Sequence, residues 1–332
     1  MFTNKPFIVA EMSANHLGSL DRALKICKAA KEAGADAVKL QTFTPSRMVG
    51  KPEYIIPNGP WAGRALIDLY DEAHTPRAWH KQLFDYCKEL GIVCFSTPFH
   101  PDDVDFLETL NCPIYKISSF DIEDRELIER CVRTGKPIIL STGMATKEQI
   151  RRAISWCEHA HTLTILKCTS AYPAAIEDAH LQTLFDMSYE ASRFGVSDHT
   201  LGYLIPIMAT AMGATVIEKH LTLSRGDGGP DAAFSMNPEE FGQMVTVCRA
   251  AKAALGRVVY GPGESERESV ELRKSLFFNR ALREGTVIER EHLKIARPAL
   301  GLSPVKLKEV LGKKLAYFVL AGDPVTDDSF YH

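Results

Sequence analysis

The sequence lacks a surplus of either charge, a long hydrophobic run and any closely spaced cysteine pair. Its 39 basic residues nearly balance 42 acidic ones, for a formal net charge of -3, so no basic field marks a nucleic-acid or anionic membrane partner. The N-terminal apolar run, Phe7-Ile8-Val9-Ala10, stops at Glu11, too short for a signal segment or a membrane span. A cytoplasmic protein with neither nucleic-acid nor membrane partners is expected. Eight cysteines occur without a C-x-x-C pair, and most fall inside apolar patterns, which favours reduced core thiols over a zinc site or disulfide framework. Biased segments are missing too: 45% hydrophobic and 24% charged residues are ordinary for a soluble globular chain.

What is present is alternation. Short apolar runs at 7–10, 37–40, 92–96, 114–117, 137–141, 163–167, 194–197 and 215–218 are each followed by a helical pattern. Eight such pairs predict a parallel (β/α)8 TIM barrel, which usually needs about 250 residues. The first helix is expected from Leu20, with Ser19 as its cap, Ala23, Ile26, Cys27, Ala30 and Ala33 on one face and a stop at Gly34; a similar stop falls at Gly91. The proline-rich stretch 43–75 is too long for an ordinary connection and is expected to fold over the barrel mouth. We place the barrel at 1–256, a charged, turn-rich linker at 257–280 and a small domain at 281–332. In that tail Leu282 through Ile288 is weakly echoed by Leu320 through Thr326.

Side chains at the C-terminal ends of barrel strands face the active site. That rule gathers Glu11, Lys39, Gln41, Thr97, Lys116, Ser119, Asp121, Ser141, Lys167, Ser170, Tyr172, Ser197, His199, Glu218 and His220 at one mouth. Lys39 and Lys116 lie within otherwise apolar strands, where a charge is costly without an anionic partner. With Thr97, Ser119, Ser141 and Ser197 they suit a small phosphorylated carboxylate; a Schiff-base lysine is the competing reading. His199 and His220 end neighbouring strands with no cysteine pair nearby. They could be structural, or they could bind manganese, cobalt or magnesium with water and substrate oxygens completing an open site. Glu11 is a carboxylate beside them, able to move a proton or simply to neutralise Lys39.

The motifs resemble the sialic acid synthase family along nearly the whole chain. Those that carry the likeness are Ala10-Glu11 through Asn15-His16, Lys39-Leu40-Gln41-Thr42, Tyr115-Lys116-Ile117, Ser141-Thr142-Gly143-Met144, Ser197-Asp198-His199-Thr200-Leu201-Gly202, Ile217-Glu218-Lys219-His220 and Gly229-Pro230-Asp231. The tail, entered at Arg273-Lys274-Ser275-Leu276 and containing Arg297-Pro298, resembles that family's antifreeze-like (SAF, β-clip) domain. Ser13-Ala14, Ser119-Phe120-Asp121 and the glycine-rich stretch from Ser224 to Ser235 are similar to the family's pseudaminic acid synthase branch. Ser170 stands where the family has asparagine.

The resemblance implies condensation of phosphoenolpyruvate with 2,4-diacetamido-2,4,6-trideoxy-L-altrose and water, giving pseudaminic acid and phosphate by C-C bond formation with C-O cleavage. The same chemistry on N-acetylmannosamine or a 2,4-diacetamido-mannose analogue would make this an N-acetylneuraminate or legionaminate synthase. It further implies His199 and His220 as metal ligands and, with Glu11, as the catalytic set. Lys39, Thr97, Lys116, Ser119, Ser141, Ser170 and Ser197 would hold phosphoenolpyruvate. Gln41, Asp121, Tyr172, Asp231 and Arg297 would orient the sugar, Arg297 from a partner chain in a domain-swapped homodimer. A carbohydrate-binding or assembly protein built on an inactive barrel is the reading from another class.

Overall fold

The computed structural model describes residues 5–331, and they fall into two compact units divided at Gly256 and Arg257. In the first, eight parallel strands close into a barrel: β1 (Phe7–Glu11), β2 (Ala37–Thr42), β3 (Val93–Pro98), β4 (Tyr115–Ile117), β5 (Ile138–Ser141), β6 (Leu163–Cys168), β7 (Phe194–Asp198) and β8 (Val216–His220). Closure is made by β1 against β8, in a register that sets Phe7 beside Val216 and Glu11 beside His220. Helices cover the outside, so both faces of every strand are shielded. The strands therefore read as continuous apolar runs until their last residues.

Helix ends follow the expected chemistry. The Ser19 side chain accepts a hydrogen bond from the Arg22 amide at the start of Leu20–Glu32, and Ala23, Ile26, Cys27 and Ala30 of that helix are buried. Gly34 and Gly91 both take positive φ where the chain leaves a helix. Gly195 has a steric duty instead: a Cβ there would lie 2.0 Å from the Val216 carbonyl oxygen, so only glycine lets β7 and β8 approach this closely. The two strands that carry the chain to His199 and His220 are thus drawn together by an absent side chain.

Residues 43–75 are not a structureless loop. They contain the helices Pro45–Met48 and Leu66–Ala73, and an antiparallel bridge pairs Ile55 with Ala65. All eight cysteines are free and buried. No helix among the described residues is long and apolar enough to cross a membrane.

The second unit has its own core, centred on Leu276, Phe278, Ile288, Leu315 and Val325. Its strands β9 (Ser275–Phe278) and β10 (Leu293–Ala296) pair antiparallel. The stretch 257–280 is therefore more than a linker: it holds the helix Arg267–Glu271 and all of β9, because Leu276 and Phe278 are needed inside the small core. The two echoing segments of the tail each turn at a positive-φ glycine, Gly285 and Gly322, and Leu282 exchanges backbone hydrogen bonds with Val319.

Candidate active site at the barrel mouth

Side chains alternate along a strand, so the inward set at each strand end is every second residue. Glu11 with Ser13, Lys39 with Gln41, Ser197 with His199, and Glu218 with His220 follow that rule. All eight line one cavity of about 360 Å³, together with Lys116, Ser119, Ser141, Cys168, Tyr172 and Asp231. Lys219, between Glu218 and His220, points the other way: its Nζ donates to Asp198 Oδ2 at 2.6 Å and also to the Thr200 carbonyl. Both members of that pair are buried, and each precedes one of the two histidines.

At the floor Lys39 sits among three partners. Its Nζ lies 2.9 Å from Glu11 Oε2 and 3.5 Å from Glu218 Oε1, and it donates to Thr97 Oγ1 at 3.0 Å. Burial opposes the ammonium charge, but the two carboxylates outweigh it and hold the Lys39 pKa above its ordinary value. The carboxylates themselves are pushed apart. Burial, reinforced by Glu218, raises the Glu11 pKa against the pull of Lys39; for Glu218, burial is outweighed by Lys39 and Lys116, and its pKa falls. A pair split in this way makes Glu218 the more readily ionised carboxyl and Glu11 the one that more readily takes a proton. Gln41 Nε2 donates to Glu11 Oε1 and to Ser13 Oγ, both at 2.9 Å, fixing the carboxyl's orientation.

The two histidines stand beside this floor with ring centroids 5.3 Å apart. His199 Nδ1 lies 2.9 Å from the Thr169 carbonyl oxygen, so that nitrogen carries the hydrogen and Nε2 keeps its lone pair. His220 Nδ1 is buried without a hydrogen-bond partner, and burial together with His199 drives the His220 pKa far down, leaving a neutral imidazole. Two imidazoles at an enclosed mouth, one of them with an orphan nitrogen, fit a divalent ion whose remaining positions go to water and ligand oxygens, and such an ion would take the place of the proton that Cys168 and the Thr169 carbonyl favour on His199. Tyr172 and Phe234 pack on these rings, Tyr172 with its centroid 4.4 Å from that of His199.

A second group of donors gathers at β4, β5 and β6. The Gly143 amide donates to Ser119 Oγ at 3.0 Å, leaving that hydroxyl's own hydrogen for a ligand. A Cβ on Gly143 would lie 2.3 Å from Ser170 Oγ and 2.9 Å from Ser119 Oγ, so the glycine keeps a cradle open between the two hydroxyls. Ser141 Oγ is buried and unpartnered. Lys116 donates to the Ile117 carbonyl at 2.9 Å, and burial holds its pKa down to about 8. Orphan hydroxyls beside a buried amine are the groups an oxyanion would satisfy.

Other residues expected at the site sit differently. Thr97 is buried behind Lys39 rather than on the cavity wall, and the Ser197 hydroxyl donates to Glu218 Oε1 at 2.9 Å. Both order the charged floor. Asp121 accepts from the Ser118 hydroxyl, with burial raising its pKa to about 6. Asp231 is buried, accepts the Ala14 amide at 3.3 Å, and has its pKa raised by that burial. Arg297 is exposed on the second unit. Glu218 was placed at the mouth from sequence but given no role there, and Ser13 and Cys168 were not picked out, although the two-residue alternation with Glu11 and Ser170 was the available signal.

The NeuB family model matches residues 26–260 and the SAF domain model residues 273–330. The chain belongs to the NeuB family of barrel enzymes and carries a C-terminal SAF domain. Among curated relatives, it is 43% identical to the pseudaminic acid synthase of Helicobacter pylori, with 97% of each chain covered. It is 41% identical to the pseudaminic acid synthase of Campylobacter jejuni over 98% of this chain and 97% of that one. Among solved structures it resembles the N-acetylneuraminic acid synthetase of Leptospira borgpetersenii in complex with citrate, with 33% identity and a TM-score of 0.72, covering 81% of this chain and 91% of that one.

Proposed function

We propose that the chain is a pseudaminic acid synthase, condensing phosphoenolpyruvate with 2,4-diacetamido-2,4,6-trideoxy-L-altrose and water to give pseudaminic acid and phosphate. The observation that carries the reading is one cavity with two chemistries: an anion cradle of Ser119, Ser141, the Gly143 edge and Lys116, and beside it the His199 and His220 pair over a split pair of carboxylates. Near-complete coverage by two pseudaminic acid synthases supports the choice of sugar.

Phosphoenolpyruvate is held by Lys39, Lys116, Ser119, Ser141 and Ser170, with Thr97 and Ser197 ordering the charges behind it. Gln41, Asp121, Tyr172 and Asp231 orient the sugar. His199 and His220 would hold a divalent ion, manganese, cobalt or magnesium, which when bound would supply Lewis acidity toward a carbonyl. The enol methylene carbon bonds to the aldehyde carbon, water adds to the enol carbon bearing the phosphate ester, and that C-O bond breaks to release phosphate. Glu11, its pKa raised by burial and its carboxyl aimed by Gln41, exchanges the proton with the attacking water or the new alkoxide. Glu218 stays anionic and holds Lys39 in place.

The enzyme acts in the cytoplasm as a domain-swapped homodimer in which the partner's tail supplies Arg297 to the sugar. N-acetylneuraminate or legionaminate synthesis is the same chemistry on another acceptor. A panel of the three candidate sugars with phosphoenolpyruvate and manganese, read by phosphate release and product mass, decides among them: turnover confined to N-acetylmannosamine would overturn the pseudaminic acid assignment.

A further inference from the structure

Ser13 carries the chain out of β1 in a left-handed backbone, with φ 45°, and lines the cavity. Glycine adopts that conformation freely and serine only at a cost, so a turn alone would be better made by glycine. What serine adds is a hydroxyl. Its oxygen accepts from Gln41 Nε2 at 2.9 Å, and its hydrogen goes to the Asp231 carboxylate, which also receives the Ala14 amide at 3.3 Å. Gln41 Nε2 gives its other hydrogen to Glu11 Oε1, so both amide hydrogens are committed and Gln41 can meet a ligand only through Oε1, as an acceptor. Side chains from β1, β2 and the 224–235 loop are thereby joined in a chain of fixed direction: Gln41 donates to Glu11 and to Ser13, and Ser13 donates to Asp231.

The backbone of the 224–235 loop is held by other bonds. Asn15 Nδ2 donates to Ser235 Oγ at 2.9 Å, and Ser235 Oγ to the Asp231 carbonyl at 2.7 Å. Arg22 Nη1 meets Asp227 Oδ2 at 2.6 Å. Trp61 Nε1 donates to the Pro230 carbonyl at 3.0 Å, reaching it from a short antiparallel ribbon in which the Ile56 amide donates to the Arg64 carbonyl and the Gly63 amide to the Ile56 carbonyl. The Ser13 hydroxyl is therefore not what folds the loop. It fixes where the Asp231 carboxylate stands relative to Gln41 and Glu11.

We infer that Ser13 is a positioning residue whose hydroxyl locks Asp231 to Gln41, so that the groups on the loop and on the floor face the ligand in one fixed geometry. The inference rests on reading Gln41 and Asp231 as groups that orient the acceptor sugar. Misplacing a reacting group by about 1 Å can cost 100-fold in rate, which is the scale on which such a lock acts.

The test uses the manganese-loaded full chain with phosphoenolpyruvate and 2,4-diacetamido-2,4,6-trideoxy-L-altrose. Ser13→Gly removes the hydroxyl and relieves the backbone; Ser13→Ala removes the hydroxyl and keeps the left-handed strain. In both, kcat/KM for the sugar should fall about 10- to 100-fold, while the KM for phosphoenolpyruvate and the melting temperature stay near wild type. Placed on Asp231→Ala, Ser13→Gly should cost less than about threefold more, because its partner is already gone. Protection of the Ala14 amide, read by hydrogen-exchange mass spectrometry on the ligand-free chain, should drop roughly 10-fold in Ser13→Gly. Wild-type kcat/KM in Ser13→Gly, or full additivity with Asp231→Ala, would overturn the lock. Faster exchange at Ala14 in a protein that turns over none of the three candidate sugars would overturn the proposed reaction and leave the lock standing; unaltered exchange with wild-type turnover would do the reverse.

Discussion

Lys219 and Asp198 form a wholly buried ion pair, 2.6 Å from Nζ to Oδ2, that bridges the two strands ending in His199 and His220. Its side chains face away from the cavity, so its effect on the site is through spacing. Removing one partner of such a pair strands a charge in the interior at a cost of about 3–5 kcal/mol, while replacing both with uncharged groups is often close to neutral. Lys219→Met alone should lower the melting temperature sharply and weaken manganese binding; the double variant Asp198→Asn, Lys219→Met should recover much of the melting temperature. A single variant with wild-type melting and metal affinity would dismiss this role.

Glu11→Gln preserves an oxygen acceptor for Gln41 and removes the exchangeable proton. General acid-base groups typically contribute about 10²–10⁴-fold, so kcat should fall by at least two orders of magnitude with little change in the KM for phosphoenolpyruvate. If neutralising Lys39 were its whole task, the KM for phosphoenolpyruvate would move instead, and kcat would survive.

Burial holds the Lys116 pKa down to about 8. The free enzyme therefore loses this positive charge as pH rises through 8, and the KM for phosphoenolpyruvate should climb in that range; in Lys116→Met the climb should vanish. The stability sign runs the other way. Between pH 8 and the ordinary lysine value of 10.5 the folded chain binds fewer protons here than the unfolded chain, so this group's unfavourable contribution, full below pH 8, is relieved as pH rises across the window.

Chelation should abolish turnover, and manganese, cobalt or magnesium should restore it to differing extents. A bound ion at a hundred times its Kd stabilises by about 2.7 kcal/mol, so manganese should also raise the melting temperature of wild type but not of His199→Ala, His220→Ala. Chelator-resistant turnover with a borohydride-trapped adduct on Lys39, Lys116 or Lys167 would move the chemistry to a Schiff base.

Loss of a charge-assisted contact costs roughly 1.5–3 kcal/mol, about ten- to hundred-fold, so Arg297→Ala should lower kcat/KM by that factor. The proposed swap would put Arg297 and the histidines of one site on different chains, so mixing Arg297→Ala with inactive His220→Ala should regenerate some active sites. Full activity of Arg297→Ala would eliminate the swapped cap.

The barrel was legible in the sequence because its eight apolar runs are continuous and its helices begin and end on strong local chemistry, as at Ser19, Gly34 and Gly91. The strand-end rule also delivered Lys39, His199 and His220 to one mouth. What it could not deliver was pairing across strands. Glu218 was visible two residues before His220, but that it would anchor Lys39 and receive the Ser197 hydroxyl depends on the β7 to β8 register, which Gly195 sets by steric exclusion. The ribbon within 43–75 was hidden for a similar reason: its prolines announce a loop, and its order comes from backbone bonds and from Trp61 reaching Pro230, far away in sequence. The end of the linker was misplaced because β9 is only four residues long and follows a charged stretch.

The Trp61 to Pro230 hydrogen bond ties the short ribbon within 43–75 across the barrel mouth, while the reacting groups hang from strands that the ribbon does not form. The covering ribbon and the groups beneath it are therefore carried by separable pieces of chain. An exchange of residues 43–75 between relatives should therefore leave the floor of Glu11, Lys39 and Glu218 intact, so that the cover of the mouth can vary while the barrel beneath it stays the same.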